Sequence, residues 1–418
     1  MNDMTRPLAL PEPSTLEAFL RRRLLAQLAP LQGGRLQLRD ALGDVTLGDA
    51  DAPLQVTVWV DNPAFYRAVG AQGSVGAGEA YIRGDWRCDN LVALVQLLVR
   101  NRALLDGMER GPARLGGWLL QGWNWLRRNT REGSRRNIAA HYDLGNAFFS
   151  LFLSRDLMYS SALYAEPGDT LEVASQRKLA RICTQLQLKA GDRVVEIGSG
   201  WGGFAVYAAL HHGCHVTTTT ISREQYALAT ERVASAGLQD KVTVLLKDYR
   251  DMEGQYDKLV SIEMIEAIGA QYLDTYFATL TRLLKPDGLA LLQAITIEDE
   301  RYEQARRSVD YIKRFVFPGS FIPSLHAIMA AKTRSSDLQL IGQYDFGQSY
   351  ALTLRAWRRR FLSQLPAVRT QGFDERFIRL WEFYLAYCEG GFLERSIGVS
   401  HLLLARPGYR PAPIKGTH

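Results

Sequence analysis

Short apolar segments alternate with amphipathic helical segments along the second half of the chain. Strands are predicted at residues 193–197, 215–220, 242–246, 258–262 and 289–295. An amphipathic helix over 170–188 comes before them, and the helices between them begin at Gly203, Arg223 and Tyr272. Strands that alternate with helices at this spacing form parallel sheets with helices on both faces, so the pattern predicts an α/β domain. Later strands are predicted at 339–345 and 399–405, after an insertion over 302–332.

The amino-terminal part of the chain has a different pattern. Residues 16–28 have helical spacing, and residues 54–60 (LQVTVWV) alternate like a strand. Four glycines from Gly70 to Gly78 predict a tight turn before a helix that begins near Asn90. We therefore expect a small α+β domain over 1–125, a basic linker over 126–137 and the α/β domain over 138–410.

Residues 112–136 combine tryptophans with arginines. The residues are Trp118, Trp123, Trp125, Arg127, Arg128, Arg131, Arg135 and Arg136. Tryptophan beside arginine suits the boundary between lipid tails and headgroups, which favours contact with a membrane surface. A core-packed helix followed by a solvated linker is the alternative, because aromatic stripes at helical spacing usually face a core.

Composition and charge limit the classes of protein to which the chain can belong. The 50 Lys and Arg against 44 Asp and Glu give a net charge of +6, which suits an acidic partner, either nucleic acid or an anionic membrane. The four cysteines form no C-x-x-C pair, which is typical of a reduced intracellular protein and argues against a zinc site. There is no run of 18 uncharged apolar residues and no signal sequence at the amino terminus. We expect a cytoplasmic protein whose contact with a membrane is peripheral.

The sharpest motif is the glycine loop VVEIGSGWGG after the strand at 193–197. Its glycines allow a tight strand-to-helix turn and let a nucleotide-like ligand approach the backbone. The loop also satisfies G-x-G-x-x-G, but the second strand ends in TTTT, without the acid that would hold the ribose of NAD. Glu196 stands where methyltransferases place the acid that faces the methionine ammonium. The loop therefore favours S-adenosylmethionine, with Glu196, Gly198, Gly200, Trp201 and Gly202 as its binding residues.

Seven stretches of the chain, in the same order, resemble the cyclopropane-fatty-acyl-phospholipid synthases and their mycolic-acid relatives. They are HYDLGNAFFSLFLSRDLMYSSALY, EIGSGWGGFA, ISREQ, SIEMIEAIG, YIKRFVFPGSFIPSL, YALTLRAW and YCEGGF. The resemblance as a whole covers roughly residues 139–405. GEAYIRGDW resembles the amino-terminal domain of the longer bacterial members. The resemblance implies a doubly wound, Rossmann-like class I methyltransferase domain with a smaller amino-terminal α+β domain.

The resemblance also implies a reaction. A methylene or methyl group passes from S-adenosylmethionine to the double bond of unsaturated acyl chains of membrane phospholipids, giving cyclopropane fatty acids. The site must exclude water and tolerate a cation on the acyl chain, and Tyr142, Tyr159, Trp201 and Tyr350 lie in the matching motifs.

In the family, a bound bicarbonate removes a proton so that the ring closes. The positions that match its binding site are Ser161, Glu266, Gln293, Ile295 and Tyr350. Ser161 replaces a cysteine and Gln293 replaces a common histidine, although both can still hydrogen-bond an oxyanion. Glu263 competes with Glu266 for the same role. Cys388 matches a cysteine often treated as catalytic, but direct methyl transfer needs no nucleophile, so a buried apolar role is the alternative.

Further cofactor-binding residues follow from the resemblance and from the ends of the predicted strands. They are Tyr159, Ser160, Thr220, Ser222, Gln225, Asp248 and Tyr249. The resemblance implies phospholipid acyl chains at the inner face of the membrane as partners, a homodimer, no nucleic acid and no metal. Two alternatives remain open: a methyltransferase that makes methyl-branched chains or acts on another small lipid-like acceptor, and a catalytically silent lipid-binding homologue.

Overall fold

The computed structural model describes residues 11–104, 133 and 144–411. The chain divides into two compact units. The first comprises Met1–Leu126, Arg307–Pro318 and Arg358–Ser396, and the second comprises Arg127–Arg306, Gly319–Trp357 and Ile397–His418. Two segments of the predicted 138–410 domain therefore belong to the amino-terminal unit. The Trp- and Arg-rich segment 112–136 and Tyr142 lie outside the described residues, so their predicted roles stay predictions.

The helices and strands are numbered in chain order. The helices are α1 Thr15–Leu28, α2 Ala64–Arg83, α3 Leu91–Arg100, α4 Asn146–Phe149, α5 Leu171–Gln185, α6 Gly203–His212, α7 Arg223–Ser235, α8 Ile265–Ile268, α9 Leu273–Leu283, α10 Asp299–Arg307, α11 Leu325–Ser335, α12 Gly347–Ser363, α13 Leu365–Thr370 and α14 Glu375–Leu393. The strands are β1 Arg35–Arg39, β2 Val45–Gly48, β3 Gln55–Val60, β4 Trp86–Cys88, β5 Arg193–Ile197, β6 His215–Thr220, β7 Val242–Leu246, β8 Tyr256–Ile262, β9 Leu284–Ile297, β10 Gln339–Asp345 and β11 Ile397–Ala405.

The first unit contains a four-stranded sheet in the order β2-β1-β3-β4. β1 pairs antiparallel with β2 and parallel with β3, and β3 pairs antiparallel with β4. Helix α1 begins at a capping box in which the Ser14 hydroxyl accepts from the Glu17 backbone N–H while the Glu17 carboxylate accepts from the Ser14 backbone N–H. These elements form the expected α+β arrangement.

The glycine-rich stretch is not the turn that the sequence predicts. Residues 70–78 lie inside α2, which kinks at Gly73, where φ is 55° and ψ is −131°. A Cβ at Gly76 would overlap the Ala68 carbonyl, and one at Gly78 would overlap the ring of Tyr311. The glycines therefore permit a kink and close packing within a helix, so their spacing misled the sequence prediction.

The second unit is built on a seven-stranded sheet in the order β10-β11-β9-β8-β5-β6-β7. The five strands from β5 to β9 run parallel to one another, whereas β11 pairs antiparallel with both β9 and β10. The sheet is apolar on both faces: Val195 packs into one buried cluster and Val194 into another. This confirms the predicted doubly wound α/β domain.

The predicted insertion before β10 is helical. It contains α10, a π-helical turn over Ile312–Val316 and α11. Among the described residues, none of the helices combines the length and apolar character needed to cross a bilayer.

Candidate active site

The glycine loop joins β5 to α6 through backbone conformations that favour glycine. Gly198, Gly200 and Gly202 have φ values of 92°, 48° and 83°. A Cβ at Gly198 would lie 2.8 Å from Cγ of Met264, whereas one at Gly200 would meet nothing within 4 Å. The Met264 side chain therefore packs against the loop at Gly198, whereas the space beside Gly200 is open. Open space beside a glycine is expected where a ligand lies against the backbone.

Glu196 is a buried carboxylate at the carboxyl end of β5. Its side chain accepts a hydrogen bond from the Thr218 hydroxyl at 2.6 Å, and the residue is 2% exposed. Burial raises the pKa of Glu196 to about 8, against the opposing effects of the Thr218 hydrogen bond and the charge of Lys178. A carboxylate in such a place gains stability from a cationic ligand, which fits the predicted contact with an ammonium group.

The loop after β6 is held by its own polar side chains. The Thr220 hydroxyl donates to Oε1 of Gln225 at 2.8 Å, and Ser222 caps α7 by accepting from the Gln225 backbone N–H at 3.3 Å. All three residues are buried. The structure thus brings together the three residues predicted to bind the cofactor after β6.

The two predicted residues after β7 differ in their contacts. Asp248 is paired with Arg250 through two hydrogen bonds of 2.9 and 2.7 Å. Tyr249 is buried, and its hydroxyl has no hydrogen-bond partner among the described residues. Arg250 thus orients the Asp248 carboxylate.

Aromatic rings surround Tyr159 and Trp201, two of the predicted site residues. Tyr159 lies with its ring centroid 5.3 Å from those of Phe149 and Trp357. The ring of Trp201 lies 5.1 Å from Phe149, and its indole N–H donates to Asn146 at 2.6 Å. We call Phe149, Tyr159, Trp201, Tyr350 and Trp357 the aromatic wall.

Lys178 is a buried cation that the sequence analysis missed. Its Nζ donates to the hydroxyl of Ser160 at 2.6 Å, and the side chain is fully buried in α5. Burial lowers the pKa of Lys178 to about 8, although the carboxylates of Glu263, Asp156 and Glu196 act in the opposite direction. The available signal was its spacing: Lys178 falls on the apolar face of its helix, among Leu171, Ala174, Ser175, Leu179 and Ile182.

Three of the five residues predicted to hold an oxyanion converge on the carboxylate of Glu263. Its Oε1 accepts from the backbone N–H of Ser161 at 2.9 Å and from the amide of Gln293 at 2.7 Å. Its Oε2 accepts from the hydroxyl of Tyr350 at 2.7 Å. Ser161 acts through its backbone, because its own hydroxyl donates to the Ala162 carbonyl. The donors predicted to hold bicarbonate thus hold a carboxylate of the chain itself.

The segment that carries Ser161 is fixed on α12. The Ala162 backbone N–H donates to the Thr353 hydroxyl at 3.1 Å, and the Tyr164 backbone N–H donates to the Ser349 hydroxyl at the same distance. Tyr350 lies on the same helix between these two anchors. Its position beside Ser161 therefore follows from the docking of this segment on α12.

The backbone of Glu263 is unusual. Its φ of 49° lies in the left-handed region, which residues other than glycine seldom adopt. The Glu263 N–H still donates to the Gln293 carbonyl at 2.8 Å, so the strand pairing continues up to this residue. Burial raises the pKa of Glu263, while its three hydrogen-bond donors and Lys178 act to lower it. Strain of this kind is typical of functional residues.

Glu266 has different surroundings. Its Oε1 accepts from the backbone N–H of Ile295 at 2.5 Å, and its Oε2 is buried without a hydrogen-bond partner among the described residues. Burial, and then the charge of Glu263, raise the pKa of Glu266 to about 8. A buried carboxyl group beside a negative charge favours its protonated form, so Glu266 is the more readily protonated when Glu263 is ionised.

Cys388 belongs to the first unit, whereas the other predicted catalytic residues belong to the second. Burial, and then the charge of Asp310, raise the pKa of the Cys388 thiol. A protonated thiol is a poor nucleophile, which agrees with a packing role for this side chain. Among the residues that the structure describes, there is no group of three or more His, Cys, Asp or Glu side chains placed to hold a metal ion.

One family model, two relatives and one solved structure match this chain. Residues 129–402 match the family model described as mycolic acid cyclopropane synthetase. The chain is 36% identical over 410 residues to tuberculostearic acid methyltransferase UfaA1 of Mycobacterium tuberculosis, covering 94% of this chain and 92% of the relative. It is 36% identical over 378 residues to cyclopropane-fatty-acyl-phospholipid synthase of Escherichia coli K12, covering 88% of this chain and 92% of that relative. The solved structure of mycolic acid cyclopropane synthase CmaA1 complexed with SAH and CTAB matches with a TM-score of 0.61 and 26% identity, covering 65% of this chain and 98% of that one.

Proposed function

Because the chain belongs to the mycolic acid cyclopropane synthetase family, we propose that it adds a one-carbon unit to the double bond of unsaturated acyl chains of membrane phospholipids. Membership confirms the family predicted from the sequence. The protein is an S-adenosylmethionine-dependent transferase that passes a methylene or methyl group to lipid acyl chains. Phospholipid chains as acceptors and cyclopropane fatty acids as products are our proposal, by analogy with the Escherichia coli relative.

The residues at the glycine loop fit S-adenosylmethionine. Glu196 offers a buried carboxylate to the methionine ammonium, and Gly200 leaves the backbone open. Ser160, held by Lys178, offers a hydroxyl to the methionine carboxylate, whose negative charge the lysine balances. When bound, the cofactor supplies a methyl group on a positively charged sulfur, which an alkene can attack.

The proposed chemistry rests on the hydrogen bonds that Ser161, Gln293 and Tyr350 donate to the Glu263 carboxylate. We call these three donors and the carboxylate the Glu263 cradle. Methyl transfer to an alkene leaves a positive charge on the acyl chain. Ring closure then requires one proton to leave the new methyl carbon, and the electron pair of that C–H bond forms the second ring bond. A general base works best when its pKa lies near the working pH, and burial moves the pKa of Glu263 upward. We propose that Glu263 takes this proton in place of bicarbonate.

The hydrogen bonds to Glu263 suit this role. Three donors, from Ser161, Gln293 and Tyr350, keep the carboxylate ionised and oriented before the reaction. Nearby Lys178 lowers the energy of the same ionised form. When Glu263 accepts the proton, the Tyr350 hydroxyl can rotate and accept a hydrogen bond from the new O–H.

The aromatic wall supports the cationic stage. Tyr350 connects the wall to the base, because its ring lies 6.2 Å from that of Trp357 while its hydroxyl binds Glu263. Aromatic faces attract cations, and a wall in which every ring but that of Tyr159 is buried excludes water that would otherwise add to the acyl cation. The wall and the base therefore serve successive stages of one reaction.

A methyl-branched or methylene product is a second candidate. The relative that covers 94% of this chain is named a tuberculostearic acid methyltransferase. Formation of a methylene branch also begins with methyl transfer, after which a hydride shifts from the methylated carbon to the neighbouring cationic carbon. A proton then leaves the added methyl, and the electron pair of that C–H bond forms the C=CH₂ double bond. The Glu263 cradle serves either product, and the two are distinguished by analysing the lipid itself.

The test is incubation of the purified protein with S-adenosylmethionine and vesicles of an unsaturated phospholipid, followed by mass spectrometry and NMR of the acyl chains. We expect the chain mass to increase by one methylene group, with cyclopropane proton signals. Olefinic methylene signals instead would establish the second candidate. Cofactor binding without any change in the lipid would favour a catalytically silent lipid-binding homologue and contradict the proposal.

A further inference from the structure

His401 is a buried histidine that the proposed chemistry does not yet use. It lies on β11 directly opposite Gln293 on β9, in the register of the antiparallel pair. The two side chains meet inside the sheet layer, with His401 Nε2 3.0 Å from Gln293 Oε1. Both residues are at most 2% exposed. A hydrogen-bonded chain therefore runs from His401 through Gln293 to Glu263.

The partners of Gln293 decide which way its amide points. Its Nε2 donates to Oε1 of Glu263 at 2.7 Å and lies 3.4 Å from the Ser161 carbonyl oxygen. A carboxylate and a carbonyl can only accept, so the nitrogen of the amide must face them. The amide oxygen then faces His401 and can only accept, so His401 Nε2 must carry the proton.

The surroundings keep His401 neutral. Burial, and then the positive charges of Arg181 and Lys178, lower the pKa of His401 to about 3. Its Nδ1 has no hydrogen-bond partner among the described residues, so a second proton there would be an unsatisfied buried donor. The ring lies edge-on to Phe346, with centroids 4.7 Å apart. His401 is thus held as the Nε2–H tautomer.

We propose that His401 is a positioning residue for the proton-accepting carboxylate, acting through Gln293. Its Nε2–H prevents the amide from flipping, so that both amide N–H groups stay directed at Glu263 and Ser161. A hydrogen bond to the amide oxygen also polarises the amide and strengthens its donation to Glu263. This inference rests on the proposed function, because it assigns a task to His401 in the proton transfer.

The kinetic test is a double-mutant cycle with a conservative control. His401→Phe keeps a ring but removes the donor, and we expect kcat to fall about tenfold while the Kd of S-adenosylhomocysteine stays within about twofold. The acid limb of the kcat–pH profile should move to higher pH, because Glu263 loses support for its ionised form. His401→Gln supplies an amide donor and should recover most of kcat. In a Gln293→Leu background, His401→Phe should have no further effect.

A purely structural role predicts other results. Equal losses for His401→Phe and His401→Gln, or the same loss from His401→Phe in the Gln293→Leu background, would overturn the inference. A second measurement needs no turnover: NMR of ¹⁵N-histidine-labelled protein with S-adenosylhomocysteine, in which the His401→Phe variant identifies the signal. We expect a neutral Nε2–H ring from about pH 5 to pH 8. An Nδ1–H ring, or one that titrates in this range, refutes the pairing. A wild-type protein that leaves lipid unchanged refutes only the proposed function.

Discussion

Replacing Glu263 by glutamine removes the proposed base with little change in shape. The glutamine oxygen can still accept from the Ser161 N–H and the Gln293 amide, which lie 2.9 and 2.7 Å from Oε1. Its new NH₂ faces Tyr350, whose hydroxyl can turn and accept. Each donor of the cradle thus keeps a partner, and we expect the variant to fold normally.

The expected loss of kcat follows from the role of Glu263 as a general base. Positioned general bases contribute about a hundredfold to ten-thousandfold in rate, so kcat should fall by at least about a hundredfold. The Kd of S-adenosylhomocysteine should stay within about threefold, because the lost step follows binding. Radiolabel transfer from S-adenosylmethionine to vesicle phospholipid gives kcat, and calorimetry gives the Kd.

Glu266→Gln is the matched control. Glu266 has a pKa raised to about 8, so it is mostly protonated near pH 7, and glutamine resembles that neutral form. Its oxygen can still accept from the Ile295 N–H. We expect kcat to fall less than about tenfold, far below the loss at Glu263. The reverse order, with Glu266→Gln inactive and Glu263→Gln active, would refute our reasoning and support the oxyanion site predicted from the sequence.

Three further predictions concern the cofactor, the buried lysine and the membrane. S-adenosylmethionine binding should release protons near pH 7 and tighten as pH rises to about 8, because a cationic ligand lowers the raised pKa of Glu196. Calorimetry in buffers of different ionisation enthalpy measures the number of protons released, and Glu196→Gln should reduce that number. Lys178→Met should shift the acid limb of kcat to higher pH, because Lys178 lowers the pKa of Glu263; an unchanged profile contradicts this. Vesicle sedimentation should require anionic lipid and weaken with salt, since each basic residue of segment 112–136 adds ~1 kcal/mol at such a surface; indifference to vesicles would favour the buried-helix alternative.

The sequence predicted most of the sheet, because most of its strands are runs of apolar or β-branched residues between clear turns. Strands β5, β6, β7 and β10 begin and end where the pattern placed them. β9 is longer than predicted, since it starts at Leu284 and includes a Pro-Asp-Gly sequence that is typical of a turn. Pairing of Leu284 with Tyr256 of β8, across a bulge, extends the strand, and no local pattern encodes that contact.

The candidate site was predicted in part. Motif spacing located Ser161, Gln293 and Tyr350, but it favoured Glu266 over Glu263, which lies only three positions earlier in the chain. Which of the two carboxylates receives the hydrogen bonds depends on Ser161, Gln293 and Tyr350, which lie on other segments of the fold. His401 was missed because β11 is buried along most of its length, so alternation along the strand carries no signal.

The most direct test of the central claim uses S-adenosylmethionine labelled with a CD₃ group in buffer freed of bicarbonate. If Glu263 takes a proton from the transferred methyl, the wild-type protein should convert unsaturated phospholipid without bicarbonate. The added carbon should then keep two deuterium atoms and lose one, and Glu263→Gln should give almost no product. Strict dependence on added bicarbonate, or retention of all three deuterium atoms, would contradict the assignment of Glu263 as the base.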